Sequence, residues 1–177
     1  MTLRRCTDRK AANWILSSGL PWQQLVGFGP GGFAAYARLR LLPDPAWDGQ
    51  SENDVEVDDE PEHDQVATAL DVLSRHTGTP DDWYFCVWEG WGVDLGGPRI
   101  VVPERSYFLL RGRWDEWGDR PEPAFVWPAD RAWCLAHDVD PHWAGIGADA
   151  AAVDDLLADA RIDVVPADPT QPQPYYG

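Results

Sequence analysis

The feature that most constrains the fold is a succession of short apolar runs in the second half of the chain. Each run is four to eight residues long, is rich in aromatic and β-branched residues, and is separated from the next by Gly, Pro and Asp. Such runs are typical of β-strands, and the short connections between them favour antiparallel neighbours. We therefore predict strands at residues 83–89, 98–102, 106–112, 124–127, 131–138 and 142–147.

Helices are predicted mainly outside this region. Residues 8–18, 65–78 and 149–160 have helical apolar spacing or helix-stop signals. The segment 33–41 alternates with a period of two and favours a strand, although its alanines leave a helix as an alternative. The expected caps are Asp64 and Asp149, and the expected buried positions are Val66, Ala69, Leu70, Leu73, Val153, Leu156 and Leu157. The pattern predicts an α+β fold: an antiparallel sheet of about six strands, with two or three helices packed on one side.

The length of 177 residues favours a single domain over residues 1–177. Within it, residues 43–63 are predicted to be a mobile loop, because nine acidic residues between Asp48 and Asp64 repel one another in any compact packing. Residues 168–177 form a Pro-rich tail, which is not expected to enter the interior of a sheet.

The net charge of −16 excludes some partners and favours others. Phosphate backbones and anionic membranes repel so acidic a surface, so neither nucleic acid nor a membrane is an expected partner. A basic protein would be attracted, and its association would be accelerated. The same charge also keeps a protein soluble, and this simpler explanation stays open.

The three cysteines, Cys6, Cys86 and Cys134, form neither a CxxC pair nor a disulfide framework. Two of them lie in apolar runs, which favours buried, reduced thiols and a cytoplasmic location. No apolar run approaches the roughly 18 residues that a membrane span needs. No cofactor is predicted.

The stretch AWCLAHDVDPHWAGIGAD contains four weak candidates for metal ligands: His137, Asp138, Asp140 and His142. On one strand, His137 and Asp138 would point to opposite faces, so they do not share an ion without a bulge. Zinc usually requires three or four ligands. The pattern favours a hairpin with Asp140 in its turn, and a metal-dependent hydrolase that uses these four residues is the alternative.

Tryptophans beside acids and glycines recur in WEGWG (88–92) and RWDEW (113–117). An exposed indole at the end of a sheet can stack on a sugar or anchor a protein partner. The candidate binding residues are Trp88, Trp91, Trp114, Trp117, Glu89 and Asp94. The competing interpretation is that these tryptophans pack at the edge of the core.

The segment FVWPADRAWCLAHDVDPHWAGIGADAAAVDDLLAD (125–159) resembles a family of uncharacterised actinobacterial proteins. The resemblance rests on a W-P-x-D-R-x-W strand near the C-terminus, here Trp127, Pro128, Asp130, Arg131 and Trp133. It implies no activity and no catalytic residue. In this motif, Asp130 is predicted to cap backbone amides in a β-turn, with Arg131 paired locally.

The leading prediction is a non-enzymatic cytoplasmic module that binds another protein, such as an immunity-protein or antitoxin-like inhibitor of a basic partner. Strong acidity, candidate exposed tryptophans and the lack of a catalytic sequence motif favour it. The alternatives are the metal-dependent hydrolase and a binder of carbohydrate or another small ligand that uses exposed tryptophans.

Overall fold

The computed structural model describes residues 2–57 and 60–177 and has an α+β fold. Its centre is one antiparallel sheet, and the described residues contribute nine strands rather than about six. The strands β1–β9 are Arg4–Arg5, Ala35–Arg40, Trp83–Trp88, Arg99–Val102, Arg105–Gly112, Phe125–Pro128, Cys134–Ala136, Trp143–Ala148 and Val164–Pro166. The sheet order is β1-β5-β3-β6-β7-β8-β2-β9, and β4 pairs with β5 beside β1.

Four α-helices, α1–α4, cover both faces of this sheet in the described part of the chain: Asn13–Leu16, Trp22–Phe28, Glu62–Ser74 and Ala150–Ala158. The alternation of side chains along the strands explains the two layers. In β3, Phe85 and Val87 pack with α3 and α4, whereas Cys86 packs with α1 and α2. The expectation that the helices lie on one side is therefore wrong, because both faces of the central strands are apolar.

The apolar stripe predicted for α3 is confirmed, since Val66, Ala69, Leu70 and Leu73 are fully buried. Its predicted start is wrong. The helix begins at Glu62 after Pro61, so Asp64 lies within the first turn rather than at the cap. Proline and an acid are both favourable at such a start.

Helix α4 is capped as predicted, because the Asp149 carboxylate accepts a 2.7 Å hydrogen bond from the amide of Ala152. Val153 and Leu156 are buried against the sheet. Leu157 is 39% exposed, so its predicted place in the stripe is wrong. Three apolar residues within the five positions 153–157 cover a wider arc of the helix than the surface that α4 buries.

Helix α2 was not predicted, and it packs unusually close to β8. A Cβ atom at Gly145 would overlap the carbonyl oxygen of Gly27, which lies in α2. The helix ends at Gly29, whose φ of 75° lies in the left-handed region. The glycines of GFGPGG and HWAGIG therefore let helix and strand backbones approach each other.

The predicted turn of the W-P-x-D-R-x-W motif is confirmed. The amide of Arg131 donates to the carbonyl of Pro128 at 2.8 Å, and the Asp130 carboxylate accepts from the amides of Ala132 and Gly78 at 3.1 and 2.7 Å. The side chain of Arg131 lies over the indole of Trp14, at 5.2 Å, instead of pairing with a neighbouring acid.

The predicted acidic loop contains local structure in its described part. Ser51 caps a short 3₁₀ helix at Glu52–Asp54, and the side chain of Gln50 accepts a hydrogen bond from the amide of Ala46. Two of the acids, Asp58 and Asp59, lie outside the described residues. The mobility of residues 43–63 stays a prediction, although α3 already begins at Glu62.

The Pro-rich tail follows β9, which pairs with β2 at one edge of the sheet. The tail then contacts the segment 43–50: the hydroxyl of Tyr176 donates to the carbonyl of Pro43, and the amide of Gly177 donates to the carbonyl of Gln50. The indole of Trp143 also donates to the carbonyl of Pro174 at 3.4 Å. The tail thus packs over the end of the sheet without joining it.

Candidate functional site

The four candidate metal ligands are divided among three environments. The ring of His137 faces α3, and its Nε2 lies 3.9 Å from a carboxylate oxygen of Glu62. Asp138 instead pairs with Arg105 on the other side of the sheet, at 3.1 Å. Among residues 2–57 and 60–177, no group of three or more His, Cys, Asp or Glu side chains is arranged to hold a metal ion. The four candidates therefore do not form one ligand set.

Burial controls the protonation of His137. Desolvation lowers the pKa of this imidazole to about 4, and the charge of Asp138 opposes the effect only partly. Its Nδ1 is buried without a hydrogen-bond partner within the described structure. His137 is consequently neutral near pH 7 and packs beneath α3.

His142 belongs to a different network. Its Nε2 lies 2.9 Å from the carboxylate of Asp44, which also receives two hydrogen bonds from Arg38, at 2.7 and 3.0 Å. These hydrogen bonds, led by those from Arg38, hold the pKa of Asp44 well below its usual range, against the opposing effect of burial. The ring of Tyr176 packs edge-on against His142. This network fastens the C-terminal segment to the residues that precede the acidic run.

Asp138 and Asp140 are brought together by Arg105, a residue that the sequence analysis missed. The guanidinium contacts Asp138 at 3.1 and 3.2 Å and Asp140 at 2.8 Å. It lies 5.5 Å from the indole of Trp88 and 5.8 Å from that of Trp22. An arginine between two indoles is stabilised by cation–π attraction. No local pattern reveals this cluster, because its members come from distant segments.

A groove of about 730 Å³ opens beside this cluster, between α2, the β7–β8 turn and the C-terminal segment. Its aromatic lining is Trp22, Phe28, Trp143, Tyr175 and Tyr176. Its polar lining includes Asp138, Asp140, Gln23 and Gln24. The side-chain amides of both glutamines have no hydrogen-bond partner among the described residues, so they can bind a ligand.

The predicted tryptophan surface divides into an exposed and a buried part. Trp91 is 48% exposed and packs edge-on against Trp88 at the end of β3. Glu89 and Asp94 lie 3.7 and 3.6 Å from Arg99, which itself covers the ring of Phe108. These four candidate residues therefore lie around one sheet end.

Trp114 and Trp117 belong to the core on the α3 side. Trp117 is 1% exposed, and its ring centre lies 4.8 Å from that of Phe85. Trp114 is half-buried and stacks on both Trp117 and His63. The burial of Trp117 removes it from any exposed surface, because its indole is enclosed by apolar residues.

A second cleft, of about 370 Å³, lies under the acidic segment. Glu56 and Glu60 line it and form no ion pair within the described chain. Its apolar walls include Leu42, Val57 and Ile162. Arg40 and Arg161 also line it, and both are already paired with acids of this chain. Glu56 and Glu60 are therefore the carboxylates of the cleft that keep an uncompensated charge.

No family model matches this chain, and neither the curated proteins nor the solved structures contain a match. No helix in the described part of the chain is both long and apolar enough to span a membrane.

Proposed function

We propose that the protein is a non-enzymatic binding module that captures a basic protein partner. The contact surface is its acidic face, defined as residues 44–57 and 60–64 together with α3 and α4. The observation that carries the proposal is the distribution of charge on this face: no lysine or arginine occurs between Leu41 and Ser74, and the acidic segment leads directly into α3. A surface segment that carries negative charge and no lysine or arginine attracts a basic partner and accelerates the encounter.

Free carboxylates and exposed apolar groups occur together on the acidic face. Glu52, Glu56 and Glu60 are unpaired with any base in the described structure. Trp47 is 58% exposed and Val57 is 50% exposed. A partner would be steered by the carboxylates and held by contact with the tryptophan, as in interfaces with an apolar anchor and a polar rim.

The test is quantitative capture from native extract by wild-type protein and two variants of equal net charge. Glu56→Gln/Glu60→Gln removes the two cleft carboxylates, whereas Glu104→Gln/Asp119→Asn removes two acids outside the acidic face. We expect a stoichiometric basic partner to be retained by wild type and by the control variant, and to be depleted by the cleft variant. Equal retention by both variants would contradict the proposal.

The aromatic groove supports a second candidate function, the binding of a carbohydrate or another small ligand. Its volume of about 730 Å³ is within the range of small-molecule sites, and its indoles and free glutamine amides match the faces and hydroxyls of sugars. The tryptophans involved are Trp22 and Trp143 rather than the Trp114–Trp117 pair. Screening with a glycan array separates the two functions: Trp22→Ala should abolish a glycan signal and leave capture of a basic protein unchanged.

A further inference from the structure

A cationic cavity of about 450 Å³ lies at the other edge of the sheet from β9, where β1 pairs with β5. It is lined by four basic residues, Arg4, Arg5, Lys10 and Arg111, and by the acidic residue Asp8. Cys6 and Tyr84 also form part of its wall. The chain has 14 basic residues against 30 acidic ones, so four bases around one cavity are a strong local reversal of charge.

The register of the sheet places two of these bases side by side. Arg4 lies directly opposite Arg111 across the β1–β5 pair, and Tyr84 lies opposite Arg111 across the β3–β5 pair. Like charges directly opposite each other destabilise a sheet. Local conflicts of this kind occur in folded proteins mainly where a function requires them.

Only one of the two arginines is compensated. Arg111 makes a bidentate ion pair with Asp82, at 2.7 and 2.6 Å, and its guanidinium lies 5.0 Å from the ring of Tyr84. Arg4 and Lys10 have no acid within 4 Å of their charged groups among the described residues. Two cations without an acidic partner therefore line a cavity whose wall also contains the paired Arg111.

The electrostatic effect of Arg4 on its neighbours agrees with this placement. The pKa of Asp82 is lowered, first by its hydrogen bonds from Arg111 and further by the charge of Arg4. Burial raises the pKa of the Cys6 thiol, and the charges of Arg111 and Arg4 oppose that rise. The charges of Asp8 and Asp82 act on Cys6 in the opposite direction, so the arginines influence the groups beside the cavity without determining their protonation alone.

We propose that this cavity is a binding site for a small multivalent oxyanion, such as a phosphate or polycarboxylate group. Guanidinium groups bind such anions through paired N–H donors, and the lysine adds a third charge. The ring of Tyr84 is enclosed by Arg111 and by Trp127, which stacks on it at 5.6 Å, so the site recognises charge and not a second aromatic ring. The proposal is independent of the acidic face.

The first experiment is calorimetric titration of the full chain with sodium pyrophosphate at low ionic strength. We expect one site per chain, with affinity reduced at least about tenfold in Arg4→Gln/Lys10→Gln. Arg9→Gln, compared with the single variant Lys10→Gln, is the matched control, because Arg9 is adjacent to Lys10 and does not line the cavity. Absence of binding to wild type, or equal weakening by the Arg9 variant, would overturn the proposal.

Two further measurements locate the site and separate its possible ligands. Cys6 is the one cysteine that is not buried, so pyrophosphate should slow alkylation of Cys6 by iodoacetamide in wild type but not in the double variant. A titration with citrate in place of pyrophosphate shows whether the site prefers a polycarboxylate or a phosphate group. Binding of either anion supports the site, and the tighter of the two identifies the class of ligand. Complete loss of pyrophosphate binding when sodium chloride is added to physiological ionic strength would overturn it, because simple screening of exposed charges would then account for the attraction.

Discussion

Arg105 and Asp138 form a buried ion pair that fastens the β7–β8 turn to the start of β5, with contacts of 3.1 and 3.2 Å. Their side chains are 11% and 7% exposed. A carboxylate in this position is retained by its partner, since an unpaired buried charge is costly. The ion pair thus lies where the groove, the β7–β8 turn and the two indoles beside Arg105 meet.

Loss of this ion pair should destabilise the fold. Asp138→Ala leaves Arg105 with only the exposed Asp140, so we expect a loss of about 2 kcal/mol in the free energy of unfolding, measured by urea titration. Asp140→Ala is the control, because that carboxylate is 78% exposed and its contribution should stay below about 0.5 kcal/mol. Equal losses in the two variants would contradict the assignment.

The close approach of α2 to β8 should make Gly145 intolerant of any side chain. Gly145→Val places atoms where the Gly27 carbonyl lies, so the helix must move away from the strand. We expect the melting temperature to fall by at least about 5 °C. Gly31→Ala is the comparison, because a Cβ there meets only Leu20, at an ordinary distance of 3.8 Å. A melting temperature unchanged in Gly145→Val would refute the packing.

His137 should make stability depend on pH between about 6.5 and 4. Its pKa is lowered to about 4 in the folded protein, so the unfolded chain binds the proton more readily. The folded state is therefore fully favoured above pH 6.5 and loses stability as the pH falls towards 4. From pH 7 to pH 5 this loss is about 2 kcal/mol.

The variant His137→Leu isolates this effect, because leucine does not titrate. Urea titrations at pH 7 and pH 5 should show a larger decrease for wild type than for the variant. If both proteins lose the same stability over this interval, His137 is not the group that is responsible.

The two tryptophan-rich motifs should respond differently to truncation. Trp117→Ala removes an indole packed on Phe85 inside the core and should cost about 3–5 kcal/mol of unfolding free energy. Trp91→Ala removes a half-exposed indole and should cost less than about 1 kcal/mol. Similar values for both, measured by urea titration, would contradict their assignment to core and surface.

The sequence predicted the elements with strong local signals. The α3 stripe, the Asp149 cap and the turn at Asp130 follow from spacing and from single side chains that bond nearby amides. The short strand β1 and the helix α2 lack such signals, whereas β9 is expected from the apolar run RIDVVP (161–166). Both β1 and α2 are stabilised by pairing and close packing with distant segments, which no local window contains.

The candidate sites were predictable only in part, for the same reason. Strand alternation correctly separated His137 from Asp138. It gave no indication that Arg105 joins Asp138 to Trp88, or that Arg4 lies opposite Arg111. WEGWG and RWDEW are similar in composition, yet only the packing around Phe85 distinguishes the buried Trp117 from the exposed Trp91.

The most direct test of the central proposal is the association rate with the captured basic partner at low and high salt. Steering by the acidic face predicts that the rate falls steeply with salt, since charges are screened beyond about 8 Å at physiological ionic strength. It also predicts that Glu56→Gln/Glu60→Gln slows association more than it speeds dissociation, whereas Trp47→Ala mainly speeds dissociation. An association rate insensitive to both salt and the two carboxylates would contradict capture of a basic partner by this face.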